Sequence, residues 1–355
     1  MEFGLSAEQT LLQDTVTRFL EAQAPLATVR RIAAGDTNDK EIWRGMADLG
    51  IPGLLIPEAL GGVGLGILDA AIVAETLGYH VTPAPFIGTA VMAPLAFMGA
   101  GTHSSLLGTM AQGDYRVGIA MSEAIGARND AGVRFAAGKL SGKSIFVLDS
   151  EADGYLVATR NQHLYFVAAT APGLQRQILT TVDKTRTTCE LRFNQVDAEM
   201  ISTDPAVYIR MLDAGRVMQA ADTLGAAQCA LDQAVAYAKE RKQFGRVIGS
   251  FQAVKHLCAE MAAGLEPCRA LVWYAAHAQD HVPEEARMMA CHAKAHLAEV
   301  GQFVAKTATE VHGGMGFTDL VGLHFWFKRI GANRQLLGSP ALVRAEAARV
   351  QGLCA

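Results

Sequence analysis

The spacing of apolar residues along this 355-residue chain changes twice, and those changes constrain the fold more than any single motif. In residues 1–115 and 205–355, apolar residues recur three and four positions apart, which is typical of amphipathic helices. Residues 116–204 alternate with a period of two between polar turns, which predicts strands joined by hairpins. The sequence therefore predicts an α+β protein. An N-terminal helical domain (1–115) and a C-terminal four-helix bundle (205–355) flank a small antiparallel β-barrel (116–204).

The chain is apolar for a protein without an obvious membrane segment. Half of its residues are hydrophobic, and the mean hydropathy is +0.18. The stretch Val81–Gly113 contains no Asp, Glu, Lys or Arg, but prolines at 83, 85 and 94 interrupt it, so it predicts buried helices instead of a spanning one. The first residues lack the basic and apolar pattern of a secretory signal. We therefore expect a cytoplasmic protein that buries an unusual share of its surface.

Charge, cysteine and histidine patterns exclude several function classes. The formal net charge of −4 provides no basic surface for nucleic acid. The six cysteines form no CxxC pair and are expected to be reduced packing residues. His292 and His296 lie four positions apart without a recognisable third ligand, so no metal site is predicted.

Four segments resemble signature motifs of the acyl-CoA dehydrogenase family, in the family's order. They are Pro57-Glu58 with Gly61–Gly64 and Glu75–Gly78, Met121-Ser122-Glu123, Lys239–Gly245 continuing to Ser250–Gln252, and Glu310–Phe317. Together they span most of the chain, which is identified as a short bacterial member of the family. The resemblance implies the three-part fold, an FAD cofactor, an acyl-CoA thioester substrate and an electron-transfer flavoprotein as acceptor. It also implies an oligomer, because FAD in this family lies across a subunit interface.

The resemblance assigns ten residues to FAD. They are Met121, Ser122, Arg241, Gln243, Phe244, Phe251, Gln252, Glu310, Gly313 and Gly314. The fork of donors on Arg241 suits a pyrophosphate, and the two glycines allow backbone amides to approach the nucleotide. Glu310 replaces the usual glutamine, and its carboxylate repels phosphate unless it meets a hydroxyl.

Three further residues are expected at the substrate by the same resemblance: Asp213, Arg216 and Asn129. Asp213 and Arg216 are also three positions apart on a predicted helix. Their alternative interpretation is therefore an ion pair on the helix surface.

The catalytic base that the family needs is missing from both of its known positions. Desaturation removes the proton α to the thioester while a hydride leaves the β carbon, and this requires a positioned carboxylate. Most members carry a glutamate just before a glycine in the last helical region, and a smaller group carries it on the long helix. The matching positions here are Leu337 and Gly215, neither of which can abstract a proton.

The sequence leaves two explanations for the missing base. Short members without a base pair with a longer homologue in bacterial steroid side-chain degradation, and Arg334–Pro340 resembles those subunits. Alternatively, Asp222 serves as the base. It follows Gly215 by seven residues and lies about 10 Å further along the helix. Against that role, a buried aspartate commonly satisfies local hydrogen-bond partners.

Three functions thus remain open at the level of sequence. The chain is an FAD-dependent acyl-CoA dehydrogenase, acting in lipid or steroid catabolism, or a flavin-binding subunit of one. Alternatively, it is a non-catalytic subunit that completes the FAD and acyl-CoA site of a homologous partner. Thirdly, it is a flavin oxidase or monooxygenase on the same fold, since fold does not fix chemistry.

Overall fold

The computed structural model describes residues 4–37, 39–126 and 132–354. Its elements follow the predicted order of helices, then strands, then helices. The changes of apolar period therefore mark real changes of secondary structure, and the predicted fold class is confirmed. Within the described ranges, no helix is both long and apolar enough to cross a membrane.

The described residues of the N-terminal part form six α-helices, one π-helix and two short 3-10 helices. The α-helices are α1 (Ala7–Gln23), α2 (Leu26–Ala34), α3 (Lys40–Asp48), α4 (Ile67–Tyr79), α5 (Ala93–Ala100) and α6 (Ser104–Ala111). Helix α1 begins at Ser6, whose side chain accepts from the backbone of Gln9 in a capping box. A fully buried π-helix, Phe86–Met92, runs directly into α5, so residues 86–97 of the charge-free stretch are folded into the core.

The central part is an eight-stranded sheet. Its strands are β1 (Val117–Ala120), β2 (Gly132–Ala136), β3 (Lys139–Leu148), β4 (Gly154–Ala158), β5 (Leu164–Ala168), β6 (Leu174–Leu179), β7 (Thr188–Asp197) and β8 (Glu199–Ser202). The strand order is β6-β7-β3-β1-β4-β5-β8, with β2 paired to β3. The predicted hairpins β2–β3 and β4–β5 are present. One pair differs from the antiparallel expectation: β1 and β4 run parallel, because the β2–β3 hairpin lies in the crossover between them.

The C-terminal part is a helical bundle built on one long helix. Its elements are α7 (Pro205–Glu240), α8 (Gln252–His281), α9 (Pro283–His312), α10 (His324–Gln335), α11 (Pro340–Val350) and the short hairpin β9 (Lys242–Gln243) with β10 (Arg246–Val247). Helix α7 packs against α8, α9 and α10, and its other side packs on α4. With 36 residues it is about 54 Å long. The two ends of α7 therefore lie far apart in space within one chain.

One apolar cluster extends from α1 through α7 to α10, and a second fills the sheet. Buried residues occupy almost the whole of α7 from Met211 to Ala227. The positive mean hydropathy is accounted for by this extensive core.

Candidate functional site

The two family positions for the base lie together in an apolar contact. A Cβ atom built on Gly215 would lie 2.9 Å from Leu337 Cδ1 and 2.7 Å from Met92 Sδ. Leu337 is 6% exposed and Met92 is completely buried. The space that a carboxylate would occupy is filled by these two side chains.

Leu337 is presented on a turn with unusual backbone geometry. Its φ is +58°, in the left-handed region that non-glycine residues rarely adopt, and Gly338 follows with φ +115°. Arg216 stabilises this turn, because its Nε donates to the carbonyl oxygen of Leu337 at 3.1 Å.

Arg216 belongs to a buried cluster of four charged groups. Its Nη2 donates to Glu346 Oε2 at 2.8 Å, and its Nη1 lies 3.6 Å from Asp213 Oδ1. Arg287 pairs with the same two carboxylates. The alternative of a surface ion pair is therefore wrong, since Arg216 is 0% and Asp213 2% exposed. In this arrangement Arg216 acts as a positioning residue for the Leu337 turn, while its predicted contact with substrate stays a prediction.

Burial and ion pairing shift the pKa values of the two acids in this cluster in opposite directions. Burial raises the pKa of Asp213 to about 7, against the opposing charges of Arg287 and Arg216. Burial also opposes ionisation of Glu346, but the hydrogen bond from Arg216 and the surrounding arginines lower its pKa overall. Asp213 is thus the member of the cluster that titrates near neutral pH.

Asp222, the candidate base, is engaged by three partners. Asn333 Nδ2 donates to its Oδ1 at 2.6 Å, Arg329 Nη1 donates to its Oδ2 at 3.1 Å, and Arg186 pairs with the same Oδ2. Its side chain is 2% exposed. Because both carboxylate oxygens are already engaged by these partners, the geometry favours a structural role over proton abstraction.

A cavity of about 570 Å³, here called the turn cavity, lies beside the Leu337 turn. Ser122 from the turn after β1, Phe146 from β3 and Ser339 line it together with Leu337. Met121 is buried next to Ser122. Ser122, which is predicted to contact the flavin ring, and Leu337 at one position of the missing base therefore face the same space.

The described residues that line the turn cavity include no free carboxylate. Among the described residues that line it, Asp183 is the one acid. Asp183 accepts from Arg329 Nε at 3.0 Å and from the Thr185 hydroxyl at 2.5 Å. None of the described residues that line the turn cavity is therefore available as a base.

The other eight predicted FAD residues lie together at the far end of the bundle. We call them the bundle-end surface: Arg241, Gln243, Phe244, Phe251, Gln252, Glu310, Gly313 and Gly314. A stack of Tyr237 on His312, with ring centroids 4.6 Å apart, joins the ends of α7 and α9 there. Phe244 is 92% exposed, and a Cβ on Gly313 or Gly314 would meet nothing within 4 Å.

The two groups of predicted cofactor residues are too far apart to form one site within a chain. Ser122 shares the turn cavity with Leu337, whose carbonyl contacts Arg216 near the start of α7. Arg241 caps the other end of α7, about 25 residues and roughly 37 Å further along the helix. Each chain therefore presents two half-sites. Asn129, the remaining predicted substrate residue, lies outside the described residues.

Several residues that shape these sites were not predicted. Three charged side chains approach α7 from distant parts of the chain: Arg186, Arg329 and Glu346. No local sequence pattern predicts these contacts. Gln219 could have been singled out from the sequence, because it is the one polar residue in the apolar run Val217–Ala221 of a buried helix.

Comparisons with known proteins agree with this fold. The model of the acyl-CoA dehydrogenase N-terminal domain matches residues 6–114, and that of the C-terminal domain matches residues 206–351. The chain is 32% identical to acyl-CoA dehydrogenase IpdE2 of Mycobacterium tuberculosis, over 94% of both chains.

Two solved structures extend the comparison. A variant of the steroid acyl-CoA dehydrogenase Tcur3481-Tcur3483 is 29% identical, with a TM-score of 0.87 and coverage of 98% of both chains. A chain in a structure of the electron transferring flavoprotein of Acidaminococcus fermentans is 25% identical, with a TM-score of 0.88 and coverage of 99% of both chains. On the family models and the first relative, this chain belongs to the acyl-CoA dehydrogenase family of oxidoreductases.

Proposed function

We propose that this chain is a subunit of a hetero-oligomeric, FAD-dependent acyl-CoA dehydrogenase. In this proposal it supplies flavin-binding surface, and a longer homologous partner supplies the carboxylate that removes the α proton of an acyl-CoA thioester. The observation that carries the proposal is the apolar packing of Leu337 and Met92 against Gly215, which leaves no carboxylate at either base position. The engagement of Asp222 by Arg186, Arg329 and Asn333 supports it.

The residues at the bundle-end surface fit a dinucleotide. Arg241 is exposed and offers a fork of donors for a pyrophosphate, and the open space at Gly313 and Gly314 allows close backbone approach. Exposed Phe244 offers a flat apolar face for a ring, and Glu310 is suited to a ribose hydroxyl. FAD, when bound, accepts the hydride from the β carbon.

Because one chain separates its two half-sites, a complete FAD site requires the bundle-end surface of one subunit and the turn cavity of another. The likeness to the steroid dehydrogenase Tcur3481-Tcur3483, whose name joins two proteins, supports a heteromer. It also supports a thioester from lipid or steroid breakdown as the substrate. The likeness to a chain solved with an electron transferring flavoprotein supports such a protein as the electron acceptor.

Co-expression with a homologue encoded nearby tests the proposal. We expect the chain purified alone to lack acyl-CoA-dependent bleaching of flavin absorbance, and the co-purified pair to be yellow and active. Visible spectra, subunit masses and turnover with a dye acceptor provide the measurements. Turnover by the chain alone, with one flavin per chain, would show that it carries its own base.

Arg241→Ala is expected to lower flavin retention of the assembled protein at least about tenfold, because it removes a charge-assisted pair to phosphate. The ratio of flavin absorbance to protein absorbance after gel filtration measures retention. Lys242→Ala, which removes an adjacent exposed charge without the planar fork, is the matched control and should retain flavin. Full retention by Arg241→Ala would remove Arg241 from the cofactor site.

A further inference from the structure

Glu123 is a buried acid at the junction of β1 and β3. It follows Ser122 in the turn after β1, here called the Ser122 turn (residues 122–126), and is 4% exposed. Its Oε2 accepts from the hydroxyl of Ser144 at 2.7 Å, and its Oε1 accepts from the backbone amide of Ile145 at 3.0 Å. Glu123 therefore ties the Ser122 turn to the middle of β3.

The contact falls on an irregularity of β3. In the ladder with β7, Ser144 pairs with Leu191, and Val147 pairs with Cys189. Between these two pairs β3 has one residue more than β7, which makes a β-bulge. A bulge disrupts the ladder locally, so its backbone groups need other partners. The carboxylate of Glu123 is such a partner, because it accepts from the amide inside the bulge.

The bulge gives Phe146 an unusual backbone conformation. Its φ is +52°, in the left-handed region that bulky residues rarely adopt. Phe146 is 43% exposed and lines the turn cavity, whereas Ile145 and Val147 on either side of it are buried. Backbone strain of this kind persists only where the surrounding structure imposes it, and it is concentrated at functional sites. The bulge thus presents an aromatic ring to the turn cavity.

The two segments that Glu123 joins supply two walls of the turn cavity. Ser122 lines the cavity from the Ser122 turn, and Phe146 lines it from the bulge. Ser122 directly precedes Glu123 in the chain, and Phe146 directly follows Ile145, whose amide Glu123 holds. The position of the Glu123 carboxylate therefore sets the separation between these two lining side chains.

We propose that Glu123 is a positioning residue for a flat heteroaromatic ring bound in the turn cavity. Its carboxylate holds the bulge of β3 in the strained form that presents Phe146, at a fixed separation from Ser122. That the ring is the isoalloxazine of FAD rests on the proposed function. The link between Glu123 and the bulge rests on contacts within the chain.

Glu123→Leu, a substitution of similar volume, removes both acceptors from the bulge. Phe146 is then free to leave its left-handed conformation, and ring binding must restore it. We expect the dissociation constant of FAD from the co-purified assembly to rise about tenfold, because the cost of the strained conformation now opposes binding. The visible circular dichroism of bound flavin should change as well, since it depends on the groups around the ring.

Glu123→Gln is the conservative variant that should restore the wild-type behaviour. Its amide oxygen accepts from Ile145, and its amide nitrogen donates to the hydroxyl oxygen of Ser144, because a hydroxyl both donates and accepts. We expect wild-type FAD affinity and circular dichroism. If Glu123→Leu does not fold, Ser144→Ala, which removes one of the two contacts, should change both quantities in the same direction but less.

Tyr155→Phe is the matched control for a general loss of stability. It removes a buried hydrogen bond elsewhere in the same sheet, from the Tyr155 hydroxyl to the carbonyl of Ser150 at 3.1 Å. We expect a lower unfolding temperature with unchanged FAD affinity and circular dichroism. A change in flavin binding like that of Glu123→Leu would overturn the proposal, because lost stability would then explain both variants.

Hydrogen exchange tests the link to the bulge without a cofactor. Glu123→Leu should speed exchange of the Ile145 amide at least about tenfold, because this amide loses its acceptor. Unchanged exchange would overturn the link, and unchanged FAD affinity and circular dichroism would overturn the positioning role. Failure of the proposed function is seen separately, as a wild-type assembly that is homomeric or lacks flavin.

Discussion

Asp222→Asn is expected to lower the free energy of unfolding by about 3–5 kcal/mol, because it removes the negative charge shared by two arginines in the core. Arg329 is 0% exposed, and the side chain of Arg186 is 15% exposed. Asp183 also pairs with Arg329, but it does not replace the contact to Arg186. Urea unfolding, followed by circular dichroism, measures the loss.

The matched control for this substitution is Asp232→Asn, which changes an exposed aspartate on the same helix and should alter stability by less than about 0.5 kcal/mol. Turnover of the folded Asp222→Asn assembly is expected to remain that of the wild type. Stability like that of the wild type together with lost turnover would reverse our interpretation and make Asp222 the base.

Arg216→Gln is expected to destabilise the protein by about 3–5 kcal/mol as well, since it leaves Asp213 and Glu346 buried with only Arg287 to pair them. It also removes the donor to the carbonyl of Leu337, so the left-handed turn loses a support. Loss of the arginine should raise the pKa of Asp213 above its value of about 7. The native state then holds a proton that the unfolded state releases, and the variant loses stability as the pH rises through that range.

The destabilisation by Arg216→Gln should therefore be larger at pH 8 than at pH 5, where Asp213 is neutral in both proteins. Urea unfolding at the two pH values tests this. Arg287 contacts the same two acids, but its side chain is 26% exposed. Solvent should therefore reduce the destabilisation that Arg287→Gln causes. If Arg216→Gln lowered the free energy of unfolding equally at both pH values, the pH dependence would not come from Asp213.

Part of the candidate site could be predicted because it depends on local patterns. Motifs such as Lys239–Gly245 predicted residues for FAD by resemblance, and the length of α7 in the structure separates those residues from Ser122. The absence of the usual base could also be predicted, because neither Leu337 nor Gly215 has a side chain that can accept a proton.

The sequence could not show what fills those positions. That Gly215, Leu337 and Met92 contact one another depends on three segments more than a hundred residues apart. The same applies to Asp222, whose role is decided by Arg186, Arg329 and Asn333 rather than by its helix position. Desolvation and pairing act through space, so a residue type alone does not reveal whether a carboxylate is free or engaged.

By itself, the sequence determined the order of helical and strand regions, the family and the absence of the usual base, because periodicity and motifs are properties of neighbouring residues. Only the tertiary structure decided that Arg216 holds a turn, that Asp222 is held by two arginines, and that Gln219 is buried without a hydrogen-bond partner among the described residues. Those outcomes depend on which distant groups meet in the core, where each buried polar atom must find a partner or leave a place for one.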